Sequence, residues 1–211
     1  MIVILANGTY PTGAEPLKLL ANADKVVCCD GAALEYIARG GEPDVIIGDL
    51  DSFPPELCEK YPDRVHRIAE QETNDLCKAF RYCLDQGWND VVILGATGKR
   101  EDHTLGNISL LADFAEQMPS IRMVTDEGEF FAILEKGTFH TEKGQEISLF
   151  AFRHNTHIYS EGLMYPLNGM YPEKLWRATL NVATGDVVSI SVLEKKPVIV
   201  FKCCSVPHDG R

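Results

Sequence analysis

Short apolar runs alternate with helical patterns through the first ~120 residues, and this alternation restricts the possible folds more than any other feature. Runs at residues 2–5, 25–29, 45–47, 91–94 and 122–124 have strand length and are mostly valine, isoleucine and other apolar residues. Between them, residues 16–23, 32–38, 74–86 and 105–118 carry helical patterns. After Asp75 the side chains of Leu76, Ala79, Phe80, Cys83 and Leu84 recur at i, i+3 and i+4. Gln86-Gly87 then puts a glycine where that helix should stop. Strands linked by crossover helices form a parallel sheet with helices on its faces.

The pattern changes after about residue 125. Runs at 130–134, 137–140, 146–150, 156–160, 177–182, 187–192 and 198–202 are separated by turn residues such as Lys143-Gly144 and Thr184-Gly185-Asp186. Seven strands at this spacing, with no long amphipathic helix, suggest an antiparallel sandwich or barrel. The expected architecture is an α/β N-terminal domain over 1–122 with a mainly parallel, Rossmann-like sheet. A C-terminal antiparallel β-sandwich over 123–211 follows it without a flexible linker.

Four acidic clusters punctuate the α/β half, each following an apolar run. They are Cys28-Cys29-Asp30-Gly31, Gly48-Asp49-Leu50-Asp51-Ser52, Thr73-Asn74-Asp75 and Arg100-Glu101-Asp102-His103. They are expected at strand ends or in the loops that follow, on the carboxyl edge where open α/β sheets bind ligands. In the second cluster, two aspartates at i and i+2 directly follow a strand. At roughly 5 Å and an effective dielectric near 20, two such carboxylates repel by about 3 kcal/mol. A hard divalent cation such as Mg2+ removes that repulsion, takes oxygen ligands and can grip a polyphosphate. The competing reading is a cap for a helix begun by Pro54-Pro55. A cap needs one such residue and leaves the other aspartate unexplained.

Composition narrows the function classes. The 211-residue chain is 45% hydrophobic and 24% charged, as expected of a globular protein, and its formal net charge is -11. That balance argues against a general binder of nucleic acid or anionic membranes. An anionic substrate such as ATP would need local cations or a metal ion. Asn7-Gly8 cuts short the apolar run from Met1 to Ala6, so neither a signal peptide nor a membrane span is expected there. Seven cysteines, two pairs of them vicinal, point to reduced thiols in a cytoplasmic protein rather than a disulfide framework. No CxxC or HExxH spacing suggests zinc.

Two further segments carry chemistry. Gln71-Glu72-Thr73-Asn74-Asp75-Leu76-Cys77-Lys78 opens the helix described above. Asn74 or Thr73 can cap it, with Asp75 complementing the helix dipole in the first turn. Alternatively, Asp75 is a third metal ligand and Lys78, one turn on, meets a phosphate. Gly95-Ala96-Thr97-Gly98-Lys99-Arg100-Glu101-Asp102-His103 follows a strand and leads into a helix. Its glycines allow close approach of backbone to phosphate, and Lys99 and Arg100 add positive charge. It matches neither GxxxxGK[ST] nor GxGxxG. In the second half, Thr179-Leu180-Asn181 is polar on alternate positions, which on a strand would point both polar side chains to one face.

Taken in order, these clusters resemble the thiamine pyrophosphokinase family. The resemblance rests on Asp30-Gly31, Gly48 to Ser52, Gln71 to Ala79, Gly95 to Asn107, Gly162 to Leu167 and Thr179 to Asn181. It spans nearly the whole chain, and the order and spacing of all six motifs carry it. Departures are Glu72 and Asn74 where the family usually has Asp and Thr, Leu180 in place of a serine, and Lys99 where glycine is common.

The resemblance implies a Mg2+-dependent transfer of pyrophosphate from ATP to the hydroxyethyl group of thiamine, yielding thiamine diphosphate and AMP. It implies that Asp49, Asp51 and Asp75 hold Mg2+, that Lys78 and Arg100 neutralise phosphate charge, and that Asn107 belongs with the ATP contacts. Asp102 would position ATP, the metal or the attacking hydroxyl. Asp30 and Gln71 would lie near thiamine or nucleotide, and Thr179 and Asn181 would approach thiamine in a homodimer whose site lies between subunits. The alternatives are another metal-dependent nucleotide-using transferase, or a non-catalytic sensor of thiamine or nucleotide on the same fold.

Overall fold

The computed structural model describes residues 1–51 and 53–204; Ser52 of the second acidic cluster and residues 205–211 of the expected C-terminal domain lie outside the described residues. The chain divides into two compact units. One comprises Met1–Asn107 with Met123–Asp126, the other Ile108–Arg122 with Glu127–Arg211.

The first unit contains β1 (Ile2–Leu5), α1 (Ala14–Ala21), β2 (Lys25–Cys29), α2 (Asp30–Ala38), β3 (Val45–Gly48), α3 (Pro55–Lys60), β4 (Val65–Arg67), α4 (Asp75–Asp85) and β5 (Val91–Leu94). It also holds the opening of α5 (Glu101–Gln117) and most of β6 (Arg122–Val124). The strand order is β6-β5-β1-β2-β3-β4, and β1 pairs in parallel with both β2 and β5. β1 to β4 step outward in one direction, and the chain then returns to the other side of β1. The topological switch point therefore lies between β1 and β5, the place where open α/β sheets form a ligand crevice.

Burial on both faces explains why the central strands read as continuous apolar runs. Val3, Leu5, Cys28, Ile46, Val92 and Leu94 join Leu20 of α1 and Ala32 and Ala33 of α2 in one cluster. Alternate residues Ile4, Ile47 and Ile93 are fully buried too, and α4 packs against β1, β2 and β3. α4 has both ends sealed. Asn74 accepts from the Cys77 N–H at 2.9 Å, while Gly87, at φ +72, donates to Leu84 O and Trp88 donates to Cys83 O. This paired closure is the Schellman arrangement that a glycine past the helix end permits.

The second unit holds β7 (Gly128–Ile133), β8 (Lys136–His140), β9 (Glu146–Ala151), β10 (Ile158–Glu161) and β11 (Asn168–Met170). A 3-10 helix (Leu175–Ala178), β12 (Asn181–Val182), β13 (Val187–Val192) and β14 (Val198–Cys203) complete it. Antiparallel strands run β12-β9-β14-β7 in one layer and β11-β10-β13-β8 in the other. Ile147, Leu149, Val198 and Val200 meet Ile158, Val188, Ile190 and Val192 between the layers, so this unit is a β-sandwich.

The expected strand over 177–182 does not form as such. Leu175–Ala178 is a 3-10 turn, closed by bonds from Thr179 N and Oγ1 to Trp176 O. Leu180 then adopts φ +55, which breaks the two-residue alternation, so Thr179 and Asn181 do not share a strand face. β4 and β11 were not anticipated as elements, α3 is the helix that the capping reading began at Pro54-Pro55, and α2 and α5 begin earlier than their apolar spacing suggested. Asp30, Glu101, Asp102 and His103 consequently lie in the first turns of helices rather than in loops.

Candidate active site

At the carboxyl edge of the first unit, the ends of β1, β2, β3 and β5 and the N-terminus of α4 surround a cavity of about 460 Å³. Its walls include Asn7 and Gly8 after β1, Asp49 after β3, Gln71 to Leu76 apart from Glu72, Lys78, and the loop residues Ala96, Gly98, Lys99 and Arg100. His103 and Asn107 of α5 close one side. A hollow of about 630 Å³ between Gly40–Glu42 and Lys60–Arg64 lies at the opposite, amino edge of the strands. That edge is not where an α/β sheet presents its loops to ligands, and its Arg64 is already engaged by Glu42 and Pro43 O.

The aspartates gather around the ends of β2 and β3. Asp30, the first residue of α2, is only 8% exposed, and its Oδ1 has no hydrogen-bond partner. Burial raises its pKa, and the nearby charges of Asp75, Asp49 and Asp51 raise it further. Gly48 makes the approach possible: a Cβ there would lie 2.9 Å from Asp30 Cβ and 3.4 Å from Asp75 Oδ1. Asp49 Oδ1 accepts from Asp51 N at 3.2 Å and its Oδ2 from Gln71 Nε2 at 3.1 Å, and these bonds lower its pKa. Neither aspartate caps α3, whose N-cap is Pro54 with no side-chain bond. Asp75 opens α4 and accepts from the Lys78 ammonium at 3.3 Å; Lys78 is 3% exposed.

The loop between β5 and α5 is locked to the loop after β1. Gly8 N donates to Gly95 O at 2.6 Å and Thr9 N to Thr97 O at 2.8 Å, extending the β1–β5 pairing beyond the sheet. Gly95 and Gly98 sit at φ +63 and +76, and Lys99 follows at φ +58. Lys99 Nζ donates to Asn7 Oδ1 at 3.1 Å. Arg100 grips both oxygens of Asp102 through Nε and Nη2, at 3.1 and 2.5 Å. That grip, helped by the His103 N–H, pulls the Asp102 pKa down to about 2. Asn107 donates to Ala96 O at 2.8 Å and accepts from Asn74 Nδ2 at 3.2 Å, tying this loop to the start of α4.

Of the residues singled out from sequence, Asp49, Gln71, Asp75, Lys78, Arg100 and Asn107 line one cavity. Asp30, Asp51 and Asp102 stand beside it. Two residues escaped the sequence reading. Arg67, at the end of β4, donates to Asp49 O at 3.0 Å and lies 3.5 Å from Asp51 Oδ1. Glu70 folds the next turn by accepting from Glu72 N, Thr73 N and Thr73 Oγ1. Val65 and Ile68 frame two adjacent polar residues, His66 and Arg67, so the segment offers neither an apolar run nor a two-residue alternation that would have marked either residue.

Thr179 and Asn181 belong to the second unit. Asn181 is buried and holds both N and O of Tyr165 while also accepting from Val182 N. Around it, Met164, Tyr165, Trp176 and Leu180 are exposed by 54 to 69%, a large apolar area for one turn region.

The described residues contain no three His, Cys, Asp or Glu side chains converged into a ready-made metal cage. Mg2+ commonly takes one or two carboxylates together with water and substrate phosphates. Asp49 and Asp75 on the wall, Asp51 beside them and the unpartnered Asp30 oxygen are hard donors suited to that mode.

Comparison with known proteins agrees with this layout. The family model for the thiamin pyrophosphokinase catalytic domain matches residues 17–124, and the model for its substrate-binding domain matches 128–201. Thiamin pyrophosphokinase 1 of Caenorhabditis elegans is 27% identical over 178 residues, covering 76% of this chain and 72% of the worm protein. The thiamine pyrophosphokinase of Bacillus subtilis is 29% identical over 150 residues, covering 67% and 70%. The crystal structure of the Bacillus subtilis enzyme superposes with a TM-score of 0.76 at 22% identity, over 96% of this chain and 99% of that one. A thiamin pyrophosphokinase from Candida albicans gives 0.75 at 17%, over 96% and 89%. With both family models matched in order across most of its length, the chain belongs to the thiamin pyrophosphokinase family, enzymes that make thiamine diphosphate from thiamine.

Proposed function

We propose that this chain transfers the pyrophosphoryl group of ATP to the hydroxyethyl oxygen of thiamine and releases AMP. The observation that carries the reading is the cavity at the switch point, lined by Lys78 of α4 and by Lys99 and Arg100 of the loop before α5, together with the carboxylates of Asp49 after β3 and Asp75 of α4. The thiamine oxygen would bond to the β-phosphorus as the bond to the α,β-bridging oxygen breaks, and the hydroxyl proton would pass to solvent or phosphate. Catalysis then consists largely of positioning and of stabilising charge on the transferred oxygens.

Each side chain has a role in this proposal. Asp49, Asp51 and Asp75 would hold Mg2+, which would supply Lewis-acid stabilisation of negative charge on the phosphates. Lys78 and Arg100 would meet phosphate oxygens directly. Asp102 would act by fixing the Arg100 fork, and Asn107 by holding the Ala96 loop against the start of α4. Gln71 would steady Asp49, and Asp30 would face the thiamine or nucleotide with its free oxygen. Thr179 would border thiamine, and Asn181 would hold the Tyr165 segment beside it.

Residues 1–122 would carry ATP and metal, and residues 123–211 thiamine recognition and dimerisation. The exposed Tyr165, Trp176 and Leu180 support a homodimer that covers them. Free thiols throughout support a reducing, cytoplasmic setting. Among the described residues no helix is long and apolar enough to cross a membrane.

The test is to incubate purified protein with ATP, Mg2+ and thiamine and follow AMP and thiamine diphosphate. Thiamine-dependent AMP, abolished by EDTA and restored by excess Mg2+, is the expected result. Release of ADP instead, or ATP binding without turnover, would sink the assignment.

A further inference from the structure

We propose that Lys99 is an additional polyphosphate-binding residue, held ready by Asn7 and peculiar to chains that put a side chain at this position. The proposal rests on the ATP reading of the cavity and extends it to a residue that the family pattern does not supply. Three observations converge. Lys99 sits at φ +58, a left-handed backbone state that favours glycine, and it follows Gly98 at φ +76. The loop is fixed in that shape from outside: a Cβ on Gly98 would lie 2.1 Å from Thr9 Oγ1, and Thr9 N binds Thr97 O. A lysine thus occupies a strained position in a rigid loop at the mouth of the cavity. Strain kept at such a place points to use.

The electrostatics give that use a direction. Three ammonium or guanidinium groups line the cavity. Lys78 is paired with Asp75 and Arg100 with Asp102. Among the described residues Lys99 has no carboxylate partner; its contact is the neutral amide oxygen of Asn7. Asn7 itself is fixed, because its amide packs where a Cβ on Gly31 would be, 2.4 Å from Nδ2. A neutral acceptor on a rigid support aims the ammonium without cancelling its charge. An unneutralised cation beside the glycine turns of a βα loop recognises phosphate oxygens, so the ligand class is the polyphosphate of a nucleoside triphosphate.

The experiment compares ATP with Mg2+ binding, by titration calorimetry, in the full-length wild type and in Lys99→Gly, Lys99→Gln and Lys99→Arg. Lys99→Gly relieves the backbone while deleting the charge, so a purely structural role predicts equal or tighter binding. The proposal predicts affinity weaker by about tenfold in the Gly and Gln variants, the scale of one charge-assisted hydrogen bond. Arg should stay within threefold, and KM for thiamine should be unchanged. A loss below threefold in both Lys99→Gly and Lys99→Gln overturns it. Wild-type protein that binds ATP but makes no thiamine-dependent AMP defeats the functional reading while the titrations still decide on Lys99. Wild-type protein that binds no ATP overturns both.

Discussion

Replacing Asp75 by asparagine tests whether the buried Lys78 ammonium is held by charge. Lys78 is 3% exposed and its Nζ lies 3.3 Å from Asp75 Oδ1. At that separation and an effective dielectric near 20, the attraction is about 5 kcal/mol. Water screens part of it, because Asp75 is 33% exposed, and asparagine retains a neutral oxygen within reach. Removing Asp75 also relieves Asp30, whose pKa is raised first by burial and then by Asp75. The balance is a net destabilisation of about 1–3 kcal/mol. Urea unfolding followed by far-UV circular dichroism measures it, and a double-mutant cycle with Lys78→Met isolates the pair. The double variant should be less destabilised than the sum of the singles by about 1–2 kcal/mol. Asp75→Asn within 0.5 kcal/mol of wild type, with an additive cycle, would refute the claim that the pair is a unit. In the same variant the thiamine-dependent release of AMP should fall about 100-fold.

Asp49→Asn and Asp51→Asn should each lower turnover by at least ~100-fold with an unchanged circular dichroism spectrum; near-wild-type rates in both would show that neither carboxylate serves the reaction. Asp30→Asn should raise Tm at pH 7 and lose that advantage below about pH 4, the ordinary carboxylate range. The sign follows from the raised Asp30 pKa: its folded-state contribution is intact below the unfolded value and is lost as pH rises through the folded one. A Tm gain that is constant with pH would contradict this. Gly98→Ala should cost at least about 2 kcal/mol, from the left-handed backbone and the overlap with Thr9. Thr9→Gly should recover only the overlap part, and full recovery in urea melts would mean that the backbone is not strained.

Legibility in the sequence followed burial. β1, β3 and β5 are buried along their whole length, and β2 at all but Lys25, so each leaves an uninterrupted apolar run. β4 pairs with β3 alone, has three residues and no buried one, and gives no such run. Missing it hid Arg67, whose position beside Asp49 and Asp51 depends on that edge strand. The Gln71–Lys78 segment was readable in both of its senses: Asn74 does cap α4, and Asp75 nevertheless reaches Lys78 and the cavity. The aspartates at 49 and 51 were readable as non-caps only once α3 proved to start after Pro54. The failure over 177–182 has a local cause. Alternating polarity predicts a strand only if the backbone is extended, and Leu180 at φ +55 is not.

Charge placement constrains how an acidic chain can admit a polyphosphate at all. The carboxylates Asp30, Asp49, Asp51, Asp75 and Asp102 outnumber the cations Arg67, Lys78, Lys99 and Arg100 around the cavity, even without Glu70. Pairing does not remove the cations from use. Arg100 engages Asp102 through Nε and Nη2, which leaves Nη1 free to turn to a phosphate. Asp102 stays anionic at any working pH because its pKa is near 2, so the fork keeps its orientation. The excess of negative charge nevertheless remains on the β2–β3 side, where Asp30, Asp49 and Asp51 lie. A nucleoside triphosphate arriving alone would be attracted at the Lys99–Arg100 loop and repelled at the Asp49 turn. A divalent cation would remove the repulsion on that side only. The asymmetry predicts that Mg2+ strengthens ATP binding in the wild type far more than in a variant with Asp49 and Asp51 both replaced by asparagine, and equal strengthening in the two would mean that the ion acts elsewhere.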